Sequence, residues 1–254
     1  MNTIRTKLLL LSLLITRILF SQQYLKPEVL SADKGLLNPA ITALITDYRG
    51  FLWAGTENGL YRYDGYHFKW IGQTPGKAGI IGSKTIIEIE QDKDHNLWFI
   101  TDKGLEFYDH KTGIITVYSH QLIHKENIPA EAFLDLYVAP EQTIWTITES
   151  RLLKMISGNV VSSFPLPQEE NNPPTCIAGD KNGNLWIGTH NGLLVFDMNS
   201  EKFTELFSAE KDFSSLLTNS HVTCIYIDSR TDLWIGTRNG LCLLYTSDAA
   251  DEED

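Results

Sequence analysis

The sequence has few of the residues on which disulfide scaffolds, metal sites and nucleic-acid interfaces depend. Its 254 residues include three cysteines, too few for a disulfide framework, and its seven histidines show no metal-ligand spacing. Lys and Arg number 21 against 32 Asp and Glu, which leaves a net charge of −11. Such an acidic chain lacks the basic footprint of a nucleic-acid-binding protein. The 43% hydrophobic content is that of a globular protein, which excludes disorder.

Long apolar runs are also scarce, and the single example lies at the N-terminus. Leu8–Thr16 follows Arg5 and Lys7, and it is shorter than the roughly 20 residues that a membrane-spanning helix needs. A basic start before a short apolar run is typical of a secretory signal. We therefore predict a signal peptide at residues 1–21 and export of the chain beyond it. The alternatives are an amphipathic N-terminal anchor and an uncleaved signal-anchor.

No amphipathic helical pattern separates the remaining apolar segments, and one pattern occurs five times instead. Tryptophans recur at spacings of 45, 47, 41 and 48 residues. A Leu or Ile precedes each, a Thr follows three residues later and a Leu seven residues later. Repetition at a period of 20–50 residues indicates a repeat architecture. The repeat tryptophans are Trp53, Trp98, Trp145, Trp186 and Trp234.

Each repeat has the length and turn signals of four short strands. In the first repeat, Asp47–Gly50 and Asp64-Gly65 predict turns, and Asn58-Gly59 predicts a hairpin with a type I′ turn. A unit of about 45 residues with four strands is typical of a β-propeller blade. We therefore predict an all-β fold, a β-propeller of four-stranded blades, with five repeats over residues 41–244. The repeat tryptophans are predicted to pack between blades.

Whether the ring closes is left open by the sequence. The fifth repeat stops after its third strand, and the N-terminal segment at residues 22–40 could supply a closing strand. A closed five-bladed ring and part of a larger propeller both fit the pattern.

Cys176 and Cys224 occupy the same position in adjacent repeats. A disulfide needs Cα atoms within about 7 Å, which neighbouring blades reach only near the axis, so we predict free thiols.

The written-out repeat resembles the two-component regulator propeller family, whose motif is D-x-x-G-x-L-W-x-G-T-x-x-G-L. The segment Asp180–Leu193 matches every stated position, and the resemblance extends over residues 29–244. The resemblance implies an exported, periplasmic sensor propeller in a longer protein. In that protein a membrane helix leads to a cytoplasmic output, often a histidine kinase of a hybrid two-component system. Many members respond to polysaccharides, and the full-length sensor can be a homodimer.

This chain departs from the family pattern at its C-terminus. No β-sandwich, membrane helix or kinase motif follows the repeats, and residues 245–254 fit no repeat position. We interpret residues 245–254 as a non-native tail. The inner-membrane anchor and the output domain would belong to the part of the parent that this sequence lacks, and no cofactor is expected in the propeller.

Candidate ligand-binding residues follow from the strand order. Strands alternate in direction within a blade, so the hairpins between second and third strands share a face with the long connections between repeats. The residue after each repeat threonine is polar and would lie on that face, where loops on a rigid scaffold often bind ligands. These residues are Glu57, Asp102, Glu149, His190 and Arg238. Five solvated hairpin residues without a function are the alternative.

Three functions compete on this fold. The first is a sensor whose polar mouth binds a hydroxyl-rich ligand such as an oligosaccharide. The second is a carbohydrate-active lyase or hydrolase, but no carboxylate pair with a defined acid–base spacing is visible. The third is a protein-interaction propeller of the WD type, although none of the repeat tryptophans is followed by Asp. We therefore predict a sensor without catalytic residues.

Overall fold

The computed structural model describes residues 29–30, 32–37, 40–71, 85–119, 131–167, 172–204 and 221–244. The chain divides into two units, Met1–Ser31 and Ala32–Asp254, and the strands all belong to the second. The predicted signal peptide, the predicted tail and most of the segment proposed to close the ring lie outside the described residues. Within those residues, no helix has the length and apolar character needed to cross a bilayer.

In the described residues, nineteen strands form five antiparallel sheets in chain order, and one short 3-10 helix, Ala32–Lys34, precedes them. Blade 1 consists of β1 (Ile41–Thr46), β2 (Leu52–Thr56), β3 (Gly59–Tyr63) and β4 (Phe68–Trp70). Blade 2 consists of β5 (Ile86–Gln91), β6 (Leu97–Thr101), β7 (Gly104–Tyr108) and β8 (Ile115–Ser119). Blade 3 consists of β9 (Asp135–Val138), β10 (Ile144–Ile147), β11 (Arg151–Ile156) and β12 (Asn159–Pro165).

Blade 4 consists of β13 (Pro174–Gly179), β14 (Asn184–Thr189), β15 (Gly192–Asp197) and β16 (Lys202–Thr204). Blade 5 consists of β17 (Val222–Ile227), β18 (Leu233–Thr237) and β19 (Gly240–Leu244). Every sheet pairs its strands with their neighbours in sequence, as a propeller blade requires. The predicted fold, an all-β propeller with five repeats, is confirmed. Among the described residues, blade 5 has three strands where the other blades have four.

The turn between the second and third strands differs from the type I′ turn predicted for it. In blade 1, Thr56 pairs with Gly59, so Glu57 and Asn58 are the central residues of the turn. Neither has a positive φ, whereas Gly59 has a φ of 117°. The glycine thus follows the turn and allows the strand to resume in a conformation that other residues disfavour. The Thr56 hydroxyl closes this turn by donating to the Gly59 carbonyl at 2.9 Å and accepting the Asn58 N–H at 3.0 Å.

The turn at the other end of the sheet is organised by its aspartate. In blade 1, one Asp47 carboxylate oxygen accepts the backbone N–H groups of Arg49 and Phe51. The second oxygen accepts the indole N–H of Trp53 at 2.8 Å. The same aspartate–tryptophan pair occurs in blades 2, 4 and 5 at 3.2, 3.0 and 3.3 Å. The carboxylate therefore anchors the repeat tryptophan as well as the turn.

Apolar cores lie between consecutive blades, as predicted for the tryptophans. We name the face of a blade that carries the repeat tryptophan its front face, and the opposite face its back face. The front face of blade 1 places Trp53 and Leu60 against Ile86, Ile89 and Phe99 on the back face of blade 2. Equivalent clusters join blade 2 to blade 3, blade 3 to blade 4, and blade 4 to blade 5. Four cores therefore hold the five described blades in a row.

The first and last blades do not share such a core. The innermost strands of consecutive blades lie against each other, from β1 and β5 through to β13 and β17, but β17 makes no comparable contact with β1. The back face of blade 1 leaves Leu44 55% exposed, whereas the equivalent Ile89 is 2% exposed. On the front face of blade 5, Leu241 is 66% exposed. In the described residues, the ring is not closed by packing between blades 1 and 5.

Candidate functional site

The predicted ligand-binding residues lie on one side of the propeller, which we call the hairpin face. Each is the first central residue of the turn between the second and third strands of its blade, directly after the repeat threonine. Four of them are exposed, and His190 is half-buried. The antiparallel pairing places these turns at the strand ends that also lead into the connections between blades. The residues of the hairpin face are Glu57, Asp102, Glu149, His190 and Arg238.

The structure brings two of the five predicted residues together through a histidine that sequence reasoning did not select. The ring of His190 packs on that of His221, with 4.0 Å between their centroids and 31° between their planes. The backbone N–H of Arg238 donates to the His221 carbonyl at 3.0 Å. Desolvation, followed by repulsion from His190 and Arg238, lowers the pKa of His221. The boundary between blades 4 and 5 thus presents two imidazoles and a guanidinium beside one another.

The other three predicted residues stand on separate blades. Glu57, Asp102 and Glu149 belong to the turns of blades 1, 2 and 3. Next to Glu149, the Ser150 hydroxyl and N–H donate to the Glu131 carboxylate at 2.6 and 3.0 Å. Those contacts lower the pKa of Glu131 against the opposing effect of burial. Most of the long connections that the sequence placed on this face lie outside the described residues.

A second polar group lies on the innermost strands and was missed by sequence reasoning. Glu88 and Glu90 project from β5, and Asp135 begins β9 in the next blade. Desolvation, together with repulsion from Glu88, raises the pKa of Glu90 to about 7 and that of Asp135 to about 8. Desolvation also raises the pKa of Glu88. We call these three residues the acidic inner cluster.

Asp135 also links two blades. One carboxylate oxygen accepts the backbone N–H of Leu136 in its own strand at 2.7 Å, and the other accepts the N–H of Ile177 in blade 4 at 2.8 Å. At the equivalent positions, blade 1 has Ala43 and blade 4 has Cys176. A carboxylate at a position that is apolar in other repeats is the signal that could have identified the cluster. Strongly perturbed carboxylates of this kind occur both at functional sites and in structural networks.

An exposed aromatic group on the opposite side of the propeller was also missed. Tyr48, in the aspartate turn of blade 1, stacks on His95 of blade 2 with a centroid distance of 3.9 Å. His110 approaches the Tyr48 ring edge-on at 5.5 Å. The Tyr48 hydroxyl accepts the Arg49 side-chain N–H at 2.6 Å. These side chains pack the aspartate turn of blade 1 against blade 2. No local sequence pattern predicts the contact, because these residues meet only when consecutive blades stack.

The cysteines agree with the prediction made for them. Cys176, Cys224 and Cys242 are free thiols, as expected for the first two. Among the described residues, no group of three or more His, Cys, Asp or Glu side chains is arranged to hold a metal ion. The side chains of the hairpin face can offer hydrogen bonds, charge and imidazole rings to a ligand.

The repeats match a known family model. Three segments, residues 35–58, 168–191 and 216–239, match the model described as "Two component regulator propeller". They correspond to blades 1, 4 and 5, in which the residue two after the tryptophan is glycine. In blades 2 and 3 that residue is Ile100 or Ile147. No curated protein matches the sequence at a significant level.

Solved structures share the fold at low sequence identity. One is the extracellular domain of BT3049 from B. thetaiotaomicron, classed as a hybrid two component system, with 22% identity, a TM-score of 0.66, and 87% of this chain covered. Another is the extracellular domain of BT4673 from the same organism, with 19% identity, a TM-score of 0.67, and 89% covered. The chain spans 30% and 32% of the lengths of these two structures.

Propeller enzymes show a weaker likeness. Virginiamycin B lyase from Staphylococcus aureus has 15% identity and a TM-score of 0.58, with 81% of this chain and 69% of the lyase covered. The three matched segments confirm the resemblance inferred from the motif: blades 1, 4 and 5 carry repeats similar to those of the two component regulator propeller family.

Proposed function

We propose that this propeller is the periplasmic ligand-sensing part of a two-component regulator, and that its ligand is an oligosaccharide bound at the hairpin face. The family of its repeats is the observation that supports the sensor function most directly. In such a sensor, ligand binding shifts a conformational equilibrium that an output domain reads. The ligand can shift that equilibrium only by its different affinities for the two states.

The chemistry of the hairpin face supports a hydroxyl-rich ligand. Exposed carboxylates at Glu57 and Glu149 accept hydrogen bonds, and the Arg238 guanidinium donates them. The paired rings of His190 and His221 add a flat surface beside the guanidinium. Sugars present many hydroxyl groups and apolar ring faces, so donors, acceptors and aromatic surfaces suit them together. The outward position of these residues leaves them available to a ligand.

Catalysis has no comparable support in this chain. Glycosidases place two carboxyl groups about 5–9 Å apart on either side of the scissile bond. The predicted carboxylates of the hairpin face stand in the turns of different blades. The acidic inner cluster is hydrogen-bonded to backbone groups of the packed inner strands. Binding without turnover is therefore the expected behaviour.

The test is titration calorimetry of the chain with a panel of oligosaccharides, combined with an assay for glycan hydrolysis or elimination. We expect at least one oligosaccharide to bind without being consumed. Turnover of any glycan would contradict the sensor function. If no oligosaccharide binds, the glycan proposal is wrong, although the family of the repeats would stand.

Two arginines of blade 5 give a matched pair of variants. Arg238 lies on the hairpin face, whereas Arg230 lies in the aspartate turn at the other end of the sheet, and both are exposed. Arg238→Ala should weaken oligosaccharide binding about tenfold, since it removes a charged hydrogen-bond donor. Arg230→Ala should leave binding unchanged. Equal effects of the two substitutions would move the site away from the hairpin face.

A further inference from the structure

The hairpin face changes the sign of its charge between blades 3 and 4. The first central residue of the hairpin turn is acidic in blades 1 to 3 and basic in blades 4 and 5. The acidic residues are Glu57, Asp102 and Glu149, and the basic residues are His190 and Arg238. Since Asp and Glu outnumber Lys and Arg by 32 to 21 in the whole chain, a basic region is the exception. The boundary between blades 4 and 5 is therefore the part of this face that suits negative charge.

A third basic residue, His221, joins these two. It directly precedes β17, and its ring packs on that of His190 with 4.0 Å between the centroids. The residues that directly precede the inner strands of blades 1, 2 and 4 carry no charge. They are Ala40, Thr85 and Pro173. The two histidines meet across an internal boundary, which a shared apolar core holds together. We call His190, His221 and Arg238 the basic cluster.

Hydrogen bonds fix the backbone positions of the basic cluster. The His190 N–H donates to the Pro173 carbonyl at 3.1 Å. In the same way, the Arg238 N–H donates to the His221 carbonyl at 3.0 Å. Each hairpin is thus held on the residue that precedes the inner strand of its own blade. A preformed arrangement reduces the conformational entropy that a ligand must remove on binding.

No carboxylate of the described residues neutralises the basic cluster. Within those residues an ion pair joins Lys154 to Glu201 on blades 3 and 4, and none includes a member of the cluster. Desolvation, and then repulsion from His190 and Arg238, lowers the pKa of the His221 imidazole. No other charged group of the described chain acts on that imidazole. An anion bound among the three residues would offset the repulsion.

We infer that the basic cluster binds the acidic group of an anionic oligosaccharide, with uptake of a proton from solvent at His221; this rests on the glycan-binding function proposed above and narrows the class of glycan. The acidic group is a uronate carboxylate or a sulfate ester, since both present negatively charged oxygen acceptors. The Arg238 guanidinium suits such oxygens because it offers parallel N–H donors in a planar fork. A protonated imidazole adds donors at both ring nitrogens.

The expected pH dependence follows from these charges. In the free chain the pKa of His221 lies below the ordinary histidine value of 6.5, so its imidazole is largely neutral at about pH 7.5. A bound anion stabilises the imidazolium and raises that pKa. The affinity for an acidic glycan therefore increases as the pH falls from about 7.5 to about 5.5, a range in which uronates and sulfates stay ionised. A neutral glycan lacks this interaction, so its affinity should change little.

Titration calorimetry with matched pairs of oligosaccharides at these two pH values tests the inference. One pair is an oligogalacturonide and its methyl ester, and the other is a sulfated galacto-oligosaccharide and its unsulfated form. At about pH 5.5 we expect the acidic member of at least one pair to bind about tenfold more tightly than its neutral partner. At about pH 7.5 that ratio should be about fivefold smaller. The pair that shows the preference identifies the acidic group as carboxylate or sulfate.

The outcomes separate the preference for acidic glycans from glycan binding itself. Acidic and neutral members that bind equally well in both pairs would overturn the preference and leave the proposed glycan function intact. The same holds if neither pair binds but a neutral oligosaccharide of the wider panel does. If no oligosaccharide binds, both proposals are wrong. A preference that is equal at the two pH values would overturn proton uptake at His221.

Two variants and a matched control assign the charges to the cluster. His221→Gln keeps a polar side chain without a titratable group, so the preference for the acidic member should no longer change with pH. Arg238→Glu gives blade 5 the residue type of Glu57 in blade 1 and should weaken binding of the acidic member more than about tenfold. His67→Gln should behave as the wild type, because His67 is exposed in the turn between β3 and β4 on the opposite side of the propeller. Circular dichroism checks that each variant keeps its β structure.

Proton NMR of the wild-type chain gives a readout that needs no folded variant. We expect the titration midpoint of the His221 ring protons to rise by about one pH unit with saturating acidic ligand and to stay in place with its neutral partner. The resonances are assigned by sequence-specific experiments on the isotope-labelled chain. A His221 midpoint that does not move would overturn proton uptake at this residue, even if the acidic member binds more tightly.

Discussion

Blades 3 and 4 have the same four-stranded sheet but differ in how it is held together. In blade 4, Asp180 accepts the N–H groups of Asn182 and Asn184 at 2.9 Å and the indole N–H of Trp186 at 3.0 Å. Blade 3 has Ala139 in place of the aspartate, and the buried indole nitrogen of Trp145 has no hydrogen-bond partner among the described residues. The turn nevertheless forms, since Ala139 exchanges the same backbone hydrogen bonds with Gln142 and Thr143.

The difference separates the roles of backbone and side chain in the repeat. Backbone pairing and the apolar core suffice to fold the blade, while the carboxylate anchors the turn and the indole. Blade 3 places its carboxylate elsewhere, at Asp135 on the inner strand, where it accepts the Ile177 N–H of blade 4. In blade 3 a carboxylate thus serves the contact with the next blade and not the turn within its own blade. Substitutions at the aspartates and tryptophans of the two blades test this comparison.

Removing the aspartate of blade 4 should produce the largest effect. Asp180→Ala leaves the turn N–H groups and the Trp186 indole without their acceptor, so we expect the free energy of unfolding to fall by about 3 kcal/mol. Urea denaturation at neutral pH measures it. Asp180→Asn keeps one acceptor oxygen for the turn and should cost about half as much. Equal losses for the two variants would show that the acceptor oxygen kept by asparagine does not stabilise the turn.

Neutralising the carboxylate of blade 3 should change how stability depends on pH. The pKa of Asp135 rises from 3.8 to about 8 on folding, mainly because of burial. The folded state therefore binds a proton that the unfolded state releases, so this contribution to stability is complete below about pH 4 and is lost as the pH rises through about 8. We expect Asp135→Asn to match the wild type near pH 5 and to exceed it at pH 9 by on the order of 2 kcal/mol.

The measurement for Asp135 is urea denaturation of both proteins across that pH range. Glu90→Gln is the companion variant, because repulsion from Glu88 adds to burial in raising the pKa of Glu90 to about 7. It should give the same direction with a midpoint near neutrality. A wild-type advantage that persists to alkaline pH would mean that the Asp135–Ile177 hydrogen bond requires the charged carboxylate.

Replacing the indole should affect the two blades differently. Trp186→Phe removes the partner of the Asp180 carboxylate, whereas Trp145→Phe removes an indole nitrogen that is already unpaired in the described chain. Both substitutions reduce the packed volume, so the informative quantity is the difference between them. We expect Trp186→Phe to cost about 1 to 2 kcal/mol more than Trp145→Phe in the free energy of unfolding. Equal costs would contradict the role assigned to the aspartate–tryptophan pair.

Restoring the aspartate of blade 3 should give the smallest effect, and it should be stabilising. Ala139→Asp supplies an acceptor to the Trp145 indole, and we expect about 1 kcal/mol of added stability. Thermal unfolding followed by circular dichroism detects the change. In a Trp145→Phe background the gain should shrink, because its indole partner is gone. A gain that is the same in both backgrounds would assign it to the turn alone.

The identity of the repeat followed from the sequence because its signals are local. Spacing of the tryptophans, the aspartate turns and the hairpin glycines all report on neighbouring residues, and each repeat is a complete sheet of consecutive strands. The exception was also local: the hairpin turn was predicted as type I′, but the central residues Glu57 and Asn58 lack positive φ and the glycine follows them. An Asn-Gly pair permits both turns, and the register of Thr56 with Gly59 decides between them.

The sequence predicted where the candidate site lies, whereas the fold determined which residues lie together there. Its location on the hairpin turns came from strand order alone, and binding at those residues stays a prediction. His221 could not be selected in advance, because its contact with His190 joins residues of different blades. The acidic inner cluster left one local signal, since Asp135 stands where other repeats have Ala43 or Cys176. Its proximity to Glu90 was not visible in the sequence, because the two residues come together only when β5 and β9 pack side by side.

The all-β repeat, its four-stranded units and the tryptophans that pack between them could be inferred from the sequence, since alternation, turn chemistry and period act within about 45 residues. Which faces are covered depends on the assembled blades. Leu193 and Leu241 are the same residue at the same repeat position, yet one is buried and the other exposed. Burial is a property of the neighbouring blade, and no local pattern in a repeat encodes whether that neighbour is present.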